Sequence, residues 1–311
     1  MNASDARLTW LDICTQTILR FRAQFQYYFP PVLLVSAIAY PCIYGLQWAH
    51  DKFAALPSYE SAMDPARFPI PHFIYVAARL SIWPIQLWVV WLVFTFVLAI
   101  FAVKMLHDRQ TAESPMKIGE AFRLVRARRL GSLVSISALA GAATGLFNIL
   151  LIPMLLRPVP LLLRQLRVFS DYFVIFGWIR TAFLLIFAAL LTKMALAVPE
   201  LVDDPDASLG GSIRNSIKAT AGWELFFVLM FAISGLVGGI LYTVGSAFLD
   251  ESVQNSQLSS TGNGMLLAAF IIALAALAIT LLAITYSVLY VGLRYGRFEP
   301  IPESEAAEAS G

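Results

Sequence analysis

Charged residues are scarce in this chain of 311 amino acids. They make up 14% of it, whereas 59% of the residues are apolar and the mean hydropathy is +0.73. Soluble domains carry about 25% charged residues, which cover their surface. The composition therefore predicts a polytopic membrane protein. The net charge of +2 gives no reason to expect a nucleic-acid partner.

Cysteine and catalytic motifs are also scarce. Cys14 lies in a polar leading segment and Cys42 in an apolar run, and no Cys/His spacing suits a metal. The sequence lacks a GxSxG elbow, an HExxH motif and a phosphate-binding loop. No signal peptide is expected, because the first apolar run begins only near Pro31. We expect no enzyme activity, no metal and no cofactor.

Long apolar runs dominate what is present. They predict an all-α bundle of six membrane-spanning helices at about residues 31–48, 83–102, 133–155, 172–191, 225–248 and 265–291. The proline-rich stretch between the first two spans is expected to be an irregular outer loop, and residues 157–171 an outer interfacial helix. Fifteen of the 22 Lys and Arg residues fall on the side that holds both termini, so that side is expected to be cytoplasmic.

Amphipathic surface helices are expected on the cytoplasmic side before spans one, three and five. The first covers residues 1–30 and opens with a capping box of Thr9 and Asp12. The second carries an apolar stripe of Ile118, Phe122 and Val125. Its basic residues are Arg123, Arg126, Arg128 and Arg129. These arginines contact anionic lipid headgroups or are the ordinary positive-inside signal, and the sequence leaves both readings open.

The stretch from Lys193 to Glu224 links the predicted fourth and fifth spans. An apolar run ends in Pro199 and an acidic turn follows, and a polar helix then starts near Ser208. The acids of the turn are Glu200, Asp203, Asp204 and Asp206. Two interpretations are open: oxygen ligands for a divalent cation, or a solvated turn that caps the next helix. The absence of EF-hand spacing favours the turn and cap, formed by Pro199, Asp203, Asp204 and Ser208.

An internal repeat is the next expectation. A shift of 91 residues aligns Gly119, Arg123 and Gly131 with Gly210, Arg214 and Gly222. We expect three copies of a surface helix plus a transmembrane hairpin, at about 8–106, 114–195 and 208–297. They form one membrane domain, 1–298, followed by a disordered acidic tail, 299–311.

Two features within the predicted spans suggest roles. Arg180 lies inside the fourth span, where a charge is costly, and Asn148 lies in the third. Together they form a candidate site for an anion or lipid headgroup, unless Arg180 snorkels outward or pairs with Asp171. Two GxxxG pairs predict close helix packing, at Gly141 with Gly145 and at Gly235 with Gly239.

The linking stretch also carries a family resemblance. Pro199, the acids Asp203 and Asp204, Ser216, and Gly222-Trp223 before an apolar run resemble the membrane domain of glycerophosphoryl diester phosphodiesterases. Related six-helix bacterial membrane proteins of unknown activity share this pattern. The resemblance implies a six-span membrane module. It implies no phosphodiesterase activity, because the separate catalytic barrel of the active members has no counterpart in this chain.

These observations lead to two functional expectations. The first is a non-catalytic structural or interaction module of the bacterial inner membrane, in contact with membrane lipids and with protein partners or a second copy. The alternative is a transporter or lipid-moving permease with its site near Arg180. A permease is expected to have a polar cavity near the middle of the membrane, whereas a structural module is expected to have a filled apolar core.

Overall fold

The computed structural model describes residues 9–54, 69–110, 116–146, 193–204, 206–230 and 260–295. These residues form helices and connecting turns, with no strand among them, as the all-α prediction requires. The helices are α1 (Trp10–Ala54), α2 (Pro69–Gln110), α3 (Ile118–Leu146), α4 (Ala197–Asp203), α5 (Leu209–Ala219) and α6 (Ser260–Tyr295), with a 3₁₀ turn at Lys193–Leu196 before α4.

Three of the described helices are long and apolar enough to cross a membrane. The qualifying segments are Trp10–Leu46, Ile85–Arg109 and Met265–Tyr295, of 37, 25 and 31 residues. A hydrocarbon core about 30 Å thick needs about 20 helical residues, so each segment exceeds the requirement. The chain is a membrane protein. Of the other predicted spans, 172–191 lies outside the described residues, and 133–155 and 225–248 are described only in part, to residues 146 and 230.

Helix α1 begins with the predicted capping box. The Thr9 N–H donates to Asp12 Oδ2 at 2.9 Å, and the Asp12 N–H donates to Thr9 Oγ1 at 3.2 Å. This reciprocal pair satisfies two of the donors that a helix start leaves open. The helix then continues through Pro30 and Pro31, where the sequence predicted a boundary between a surface helix and a span. Membrane helices tolerate such prolines, because neighbouring groups take over the freed carbonyls.

The burial pattern of α1 is inverted relative to that of a soluble protein. The side chains exposed along it include Leu11, Ile18, Leu34 and Ile38. The buried positions are spaced by four residues, apart from one step of seven, and are Ile13, Thr17, Gln24, Tyr28, Val32 and Ser36. A helix that shows apolar side chains outward and buries polar ones suits a lipid environment.

Helix α2 starts earlier than the sequence predicted. The proline-rich stretch was expected to stay irregular up to about residue 82, but residues 69–82 are helical. Pro69 and Pro71 lie in the first turn, where the missing N–H costs no hydrogen bond and the fixed φ favours a helix. These prolines therefore start the helix, and the predicted loop is shorter than expected.

Helix α3 joins the predicted second surface helix to the third span. Arg129 has φ −140° and ψ 15°, so the helix kinks where the two were expected to meet. In the first part Ala121 and Val125 are buried, whereas Phe122 is 44% exposed. The predicted apolar stripe of Ile118, Phe122 and Val125 is therefore divided, with Val125 buried and Phe122 exposed. Ala121 and Val125 are four residues apart, so they lie on the same buried face of the helix, and Phe122 lies on the outer side.

The chain divides into two compact units. The first unit consists of 1–37, 93–134 and 189–311, and the second of 38–92 and 135–188. In the first, the ring centroids of Tyr28 and Phe101 lie 4.2 Å apart, and Tyr286 stacks on Phe227 at 5.6 Å. These rings fill the space between α1, α2, α6 and the helical residues 224–230.

Candidate functional site: a polar junction of helix ends

Polar side chains of the first unit gather at the ends of its helices, and we name this group the polar junction. Its members link the end of α2, the start of α3, the segment 193–224 and the end of α6. They are Lys104, Asp108, Arg109, Met116 (through its N–H), Arg129, Lys193, Glu200, Asp203, Asp204, Asn215, Ser216, Glu224, Tyr290 and Tyr295.

Asp108 connects α2 to the segment that opens α3. Its Oδ2 accepts from Lys104 Nζ at 2.5 Å, one helical turn back, and its Oδ1 accepts from the Met116 N–H at 2.9 Å. Lys104 is 5% exposed. A cation this deeply buried needs a partner, so Asp108 both neutralises Lys104 and fixes the chain that enters α3.

Lys193 performs a similar task in the segment 193–224. Its ammonium forms an ion pair with Glu224, at the start of the helical residues 224–230. Its backbone carbonyl accepts a hydrogen bond from the Ser216 hydroxyl on α5. The hydrogen bond from Lys193, together with its charge, holds the pKa of the Glu224 carboxyl below its usual value. One lysine thus holds the C-terminal half of α5 and the start of residues 224–230 to the segment that precedes α4.

Asp203 receives two tyrosine hydroxyls from α6. Tyr290 Oη donates to Asp203 Oδ2 at 2.8 Å, and Tyr295 Oη donates to the same oxygen at 2.9 Å. The Arg109 guanidinium lies 4.2 Å from the centre of the Tyr295 ring. Cation–π contact of this kind brings the end of α2 to the same point. The ends of α2, α4 and α6 therefore meet around one carboxylate.

The remaining acids of the predicted turn have separate partners. Glu200 Oε1 accepts from the Asn215 side chain at 2.8 Å, and Asp204 Oδ1 accepts from the Asp206 N–H at 2.9 Å. The Asp204 backbone carbonyl accepts from Arg129 at 2.9 Å. Among the described residues, no three His, Cys, Asp or Glu side chains are placed to hold a metal. The cation-site interpretation of this turn gains no support.

The turn lies slightly later in the chain than the sequence suggested. Pro199 is buried inside α4 and not in the turn. A proline is accepted in the first helical turn because its N–H is not needed there. The chain leaves the helix at Asp204, and Ser208 stands at the N-cap of α5, where its Oγ accepts from the Gly211 N–H at 3.1 Å. Gly222 has φ +86°, a conformation that other residues avoid, just before the chain enters residues 224–230.

The predicted arginine group is divided between two environments. Arg123 and Arg126 are exposed, whereas Arg129 is half-buried and bonded to Asp204. The Arg128 side chain lies outside the described part. Arg129 also borders a cavity of about 40 Å³, together with Val103, Leu124, Val125 and Val202. Such a volume holds about two or three water molecules and is too small for a lipid headgroup.

The second unit contains the first of the predicted glycine pairs. An added Cβ at Gly141 would lie 2.6 Å from the Trp88 Cα, so the backbones of α2 and α3 approach closely there. Trp88 Nε1 donates to Ser137 Oγ at 3.2 Å, and Trp91 Nε1 donates to Thr144 Oγ1 at 3.1 Å. No local sequence pattern predicts these indole hydrogen bonds.

Several predicted positions lie outside the described residues. Arg180 and Asn148 are among them, as are Gly235 and Gly239. The same holds for the interfacial helix 157–171 and the tail 299–311. Gly145 is buried in α3.

The junction residues that sequence reasoning missed are chiefly Asp108, Tyr290 and Tyr295. Lys104 and Asp108 have the i, i+4 spacing of a helical ion pair, which was a usable signal. Tyr290 and Tyr295 end the most apolar helix, where tyrosine is usually an interface anchor. Asp203 is 87 and 92 residues away from them, so no local pattern connects the three.

No protein family, curated protein or solved structure matches this chain.

Proposed function

We propose that this chain is a non-catalytic structural or interaction module of the bacterial inner membrane. It spans the membrane six times, has both termini in the cytoplasm and contains three copies of a surface helix plus a hairpin. The proposal extends to membership among the six-helix relatives of the phosphodiesterase membrane domain. Arg180 lies in the fourth span of this arrangement.

One observation carries the proposal: the polar groups of the first unit are used to join helix ends. Lys193 and Arg129 each bind another segment of the same chain. Lys104 binds Asp108 on its own helix, and Asp108 accepts the Met116 N–H from the segment that opens α3. Asp203 is likewise occupied by Tyr290 and Tyr295. Side chains committed to each other in this way stiffen a framework and are not available to turn over a substrate.

A lipid-moving permease is the second candidate, and one observation favours it. Helix α1 buries Thr17 and Ser36, whose hydroxyls have no hydrogen-bond partner among the described residues. On α6, by contrast, the buried hydroxyls of Thr280 and Ser287 bond back to the preceding helical turn. Polar groups left open along a buried helix face suit a path for a lipid headgroup.

Lipid scrambling in vesicles separates the two candidates. The purified chain is reconstituted into vesicles that contain phosphatidylglycerol with a fluorescent group, and dithionite is added to bleach the outer leaflet. A structural module leaves the inner-leaflet fluorescence as high as in protein-free vesicles. Continued bleaching that an Arg180→Leu or Ser36→Ala variant abolishes would overturn the module in favour of the permease.

A further inference from the structure

The outer side of α3, before its kink and directly after it, combines apolar and basic side chains. Phe122 and Leu130 are 44% and 45% exposed, and the exposed Arg126 lies between them at four-residue spacing. Phe122 and Arg126 are four residues apart and lie on one helix face before the kink, with the exposed Arg123 beside them, and the exposed Leu130 follows the kink. A large ring and a leucine exposed close to two cations suit neither bulk water nor the hydrocarbon core.

The surface helix α5 shows the same combination. Ile217 is 46% exposed, and Arg214 and Lys218 are exposed beside it. Leu225, where the chain turns back toward the next predicted span, is 58% exposed. The outward apolar surface of α5 therefore leads directly into that span.

The beginning of α1 repeats the pattern a third time. Ile18 and Phe25 are exposed, and the exposed Arg22 lies between them at spacings of four and three residues. Further along the same helix the exposed side chains are apolar, Leu34 and Ile38 among them. Each of the three segments thus places cations where an exposed apolar surface begins.

These three faces match the headgroup layer of a membrane that contains anionic lipid. Apolar side chains can enter the boundary of the acyl chains there, while Arg and Lys reach the phosphates. We propose that Arg22, the pair Arg123–Arg126 and the pair Arg214–Lys218 form an anionic-lipid belt around the cytoplasmic end of the protein. Three other cations of the same region stay outside the belt. Lys104, Arg129 and Lys193 bind Asp108, Asp204 and Glu224 instead.

The belt rests on the proposed membrane arrangement and goes beyond it by naming the lipid class and the residues. The test uses the full chain in vesicles of equal phosphatidylglycerol and phosphatidylcholine. After gentle extraction, native mass spectrometry counts the molecules of each lipid that stay bound. The wild-type protein is expected to retain phosphatidylglycerol preferentially.

Charge-removing variants locate the preference. A basic residue near an anionic surface contributes about 1 kcal/mol, which is about fivefold in affinity. The double variants Arg123→Gln/Arg126→Gln and Arg214→Gln/Lys218→Gln should each lower the phosphatidylglycerol preference about tenfold or more. Lys117→Gln is the matched control, because it removes one charge from an exposed position beside the buried Met116. Phe122→Ser should instead reduce retention of both lipids.

Three results would overturn the belt. They are an unchanged preference in both double variants, an equal loss in Lys117→Gln, and full competition by soluble glycerol phosphate, which would indicate a site for free anions. None of these results bears on whether the chain crosses the membrane, because maleimide labelling of Cys14 and Cys42 tests the membrane crossing independently.

Discussion

Two regions of the molecule join helices by different chemistry. At the polar junction, charged side chains hold helix ends, as Lys104 with Asp108 and Lys193 with Glu224 do. Between α2 and α3 in the second unit, a glycine lets backbones meet and neutral indole N–H groups donate to hydroxyls. Ion pairs are favourable near water, whereas packing and neutral hydrogen bonds suit a hydrocarbon environment. The two contacts therefore differ in what a substitution removes, which is a charge or hydrogen bond at the junction and close packing between α2 and α3.

The largest effect is expected from breaking the charged contact of α2. Asp108→Ala leaves the 5% exposed Lys104 without its counter-ion and removes the acceptor of the Met116 N–H. Loss of one partner from a buried pair costs about 3–5 kcal/mol. SDS titration in mixed micelles measures the free energy of unfolding. Asp108→Asn also removes the charge but keeps an acceptor for the Met116 N–H, so it should cost less than Asp108→Ala. Equal losses in the two variants would show that the hydrogen bond to Met116 adds nothing to stability.

The neutral contact between α2 and α3 is broken by one methyl group. Gly141→Ala brings Cβ to within 2.6 Å of the Trp88 backbone, and overpacking of this kind costs about 1–3 kcal/mol. Gly119→Ala is the matched control on the same helix, because nothing lies within 4 Å of its added Cβ. The control should be neutral or slightly stabilising, since alanine favours helices. Equal unfolding free energies for the two variants would contradict the close approach.

A smaller effect is expected where α6 is attached. Tyr290→Phe removes one hydrogen bond to Asp203 but leaves the bond from Tyr295, so the expected loss is about 1 kcal/mol. Tyr290 is 7% exposed and Tyr295 38% exposed, so Tyr295→Phe should cost less. The same SDS titration orders the two variants. A larger loss for Tyr295→Phe would mean that Tyr295, with Arg109 over its ring, is the main attachment.

The smallest effect concerns pH at the Lys193–Glu224 pair. The pKa of Glu224 is lowered in the folded protein, so the pair stabilises the fold above the usual glutamate pKa of about 4.3. That contribution is lost as the pH falls through the lower folded pKa. The thermal stability of the wild type should therefore fall more steeply than that of Glu224→Gln as the pH drops below about 4.3. Identical pH profiles would show that the ion pair adds nothing to stability.

The parts of the fold that local sequence determines were predictable. The Thr9–Asp12 capping box spans four residues and is confirmed, and Ser208 caps α5 in the structure. Composition also identified an all-helical membrane protein. These features depend on near neighbours and on average hydrophobicity, both of which a single sequence records.

Features that depend on distant contacts were not predictable. Phe122 faces outward because Ala121 and Val125 face the core. The apolar pattern alone does not predict which side of the helix faces the core. The sequence placed Asp203 in a solvated turn. Its partners, Tyr290 and Tyr295, lie near the C-terminal end of α6, 87 and 92 residues later in the chain. The spacing of apolar residues predicts which residues share a helix face. It does not predict which distant segment packs against that face.

The two native cysteines give the most direct test of the membrane arrangement. Cys14 and Cys42 are both exposed on α1, so a protein in water would show both thiols to a reagent. We expect a membrane-impermeant maleimide to label Cys14 in inverted vesicles but not in intact spheroplasts, with Cys14→Ser as the control. Cys42 should stay unlabelled from either side until denaturing detergent removes the lipid, with Cys42→Ser as its control. Equal labelling of both thiols without detergent would contradict the arrangement.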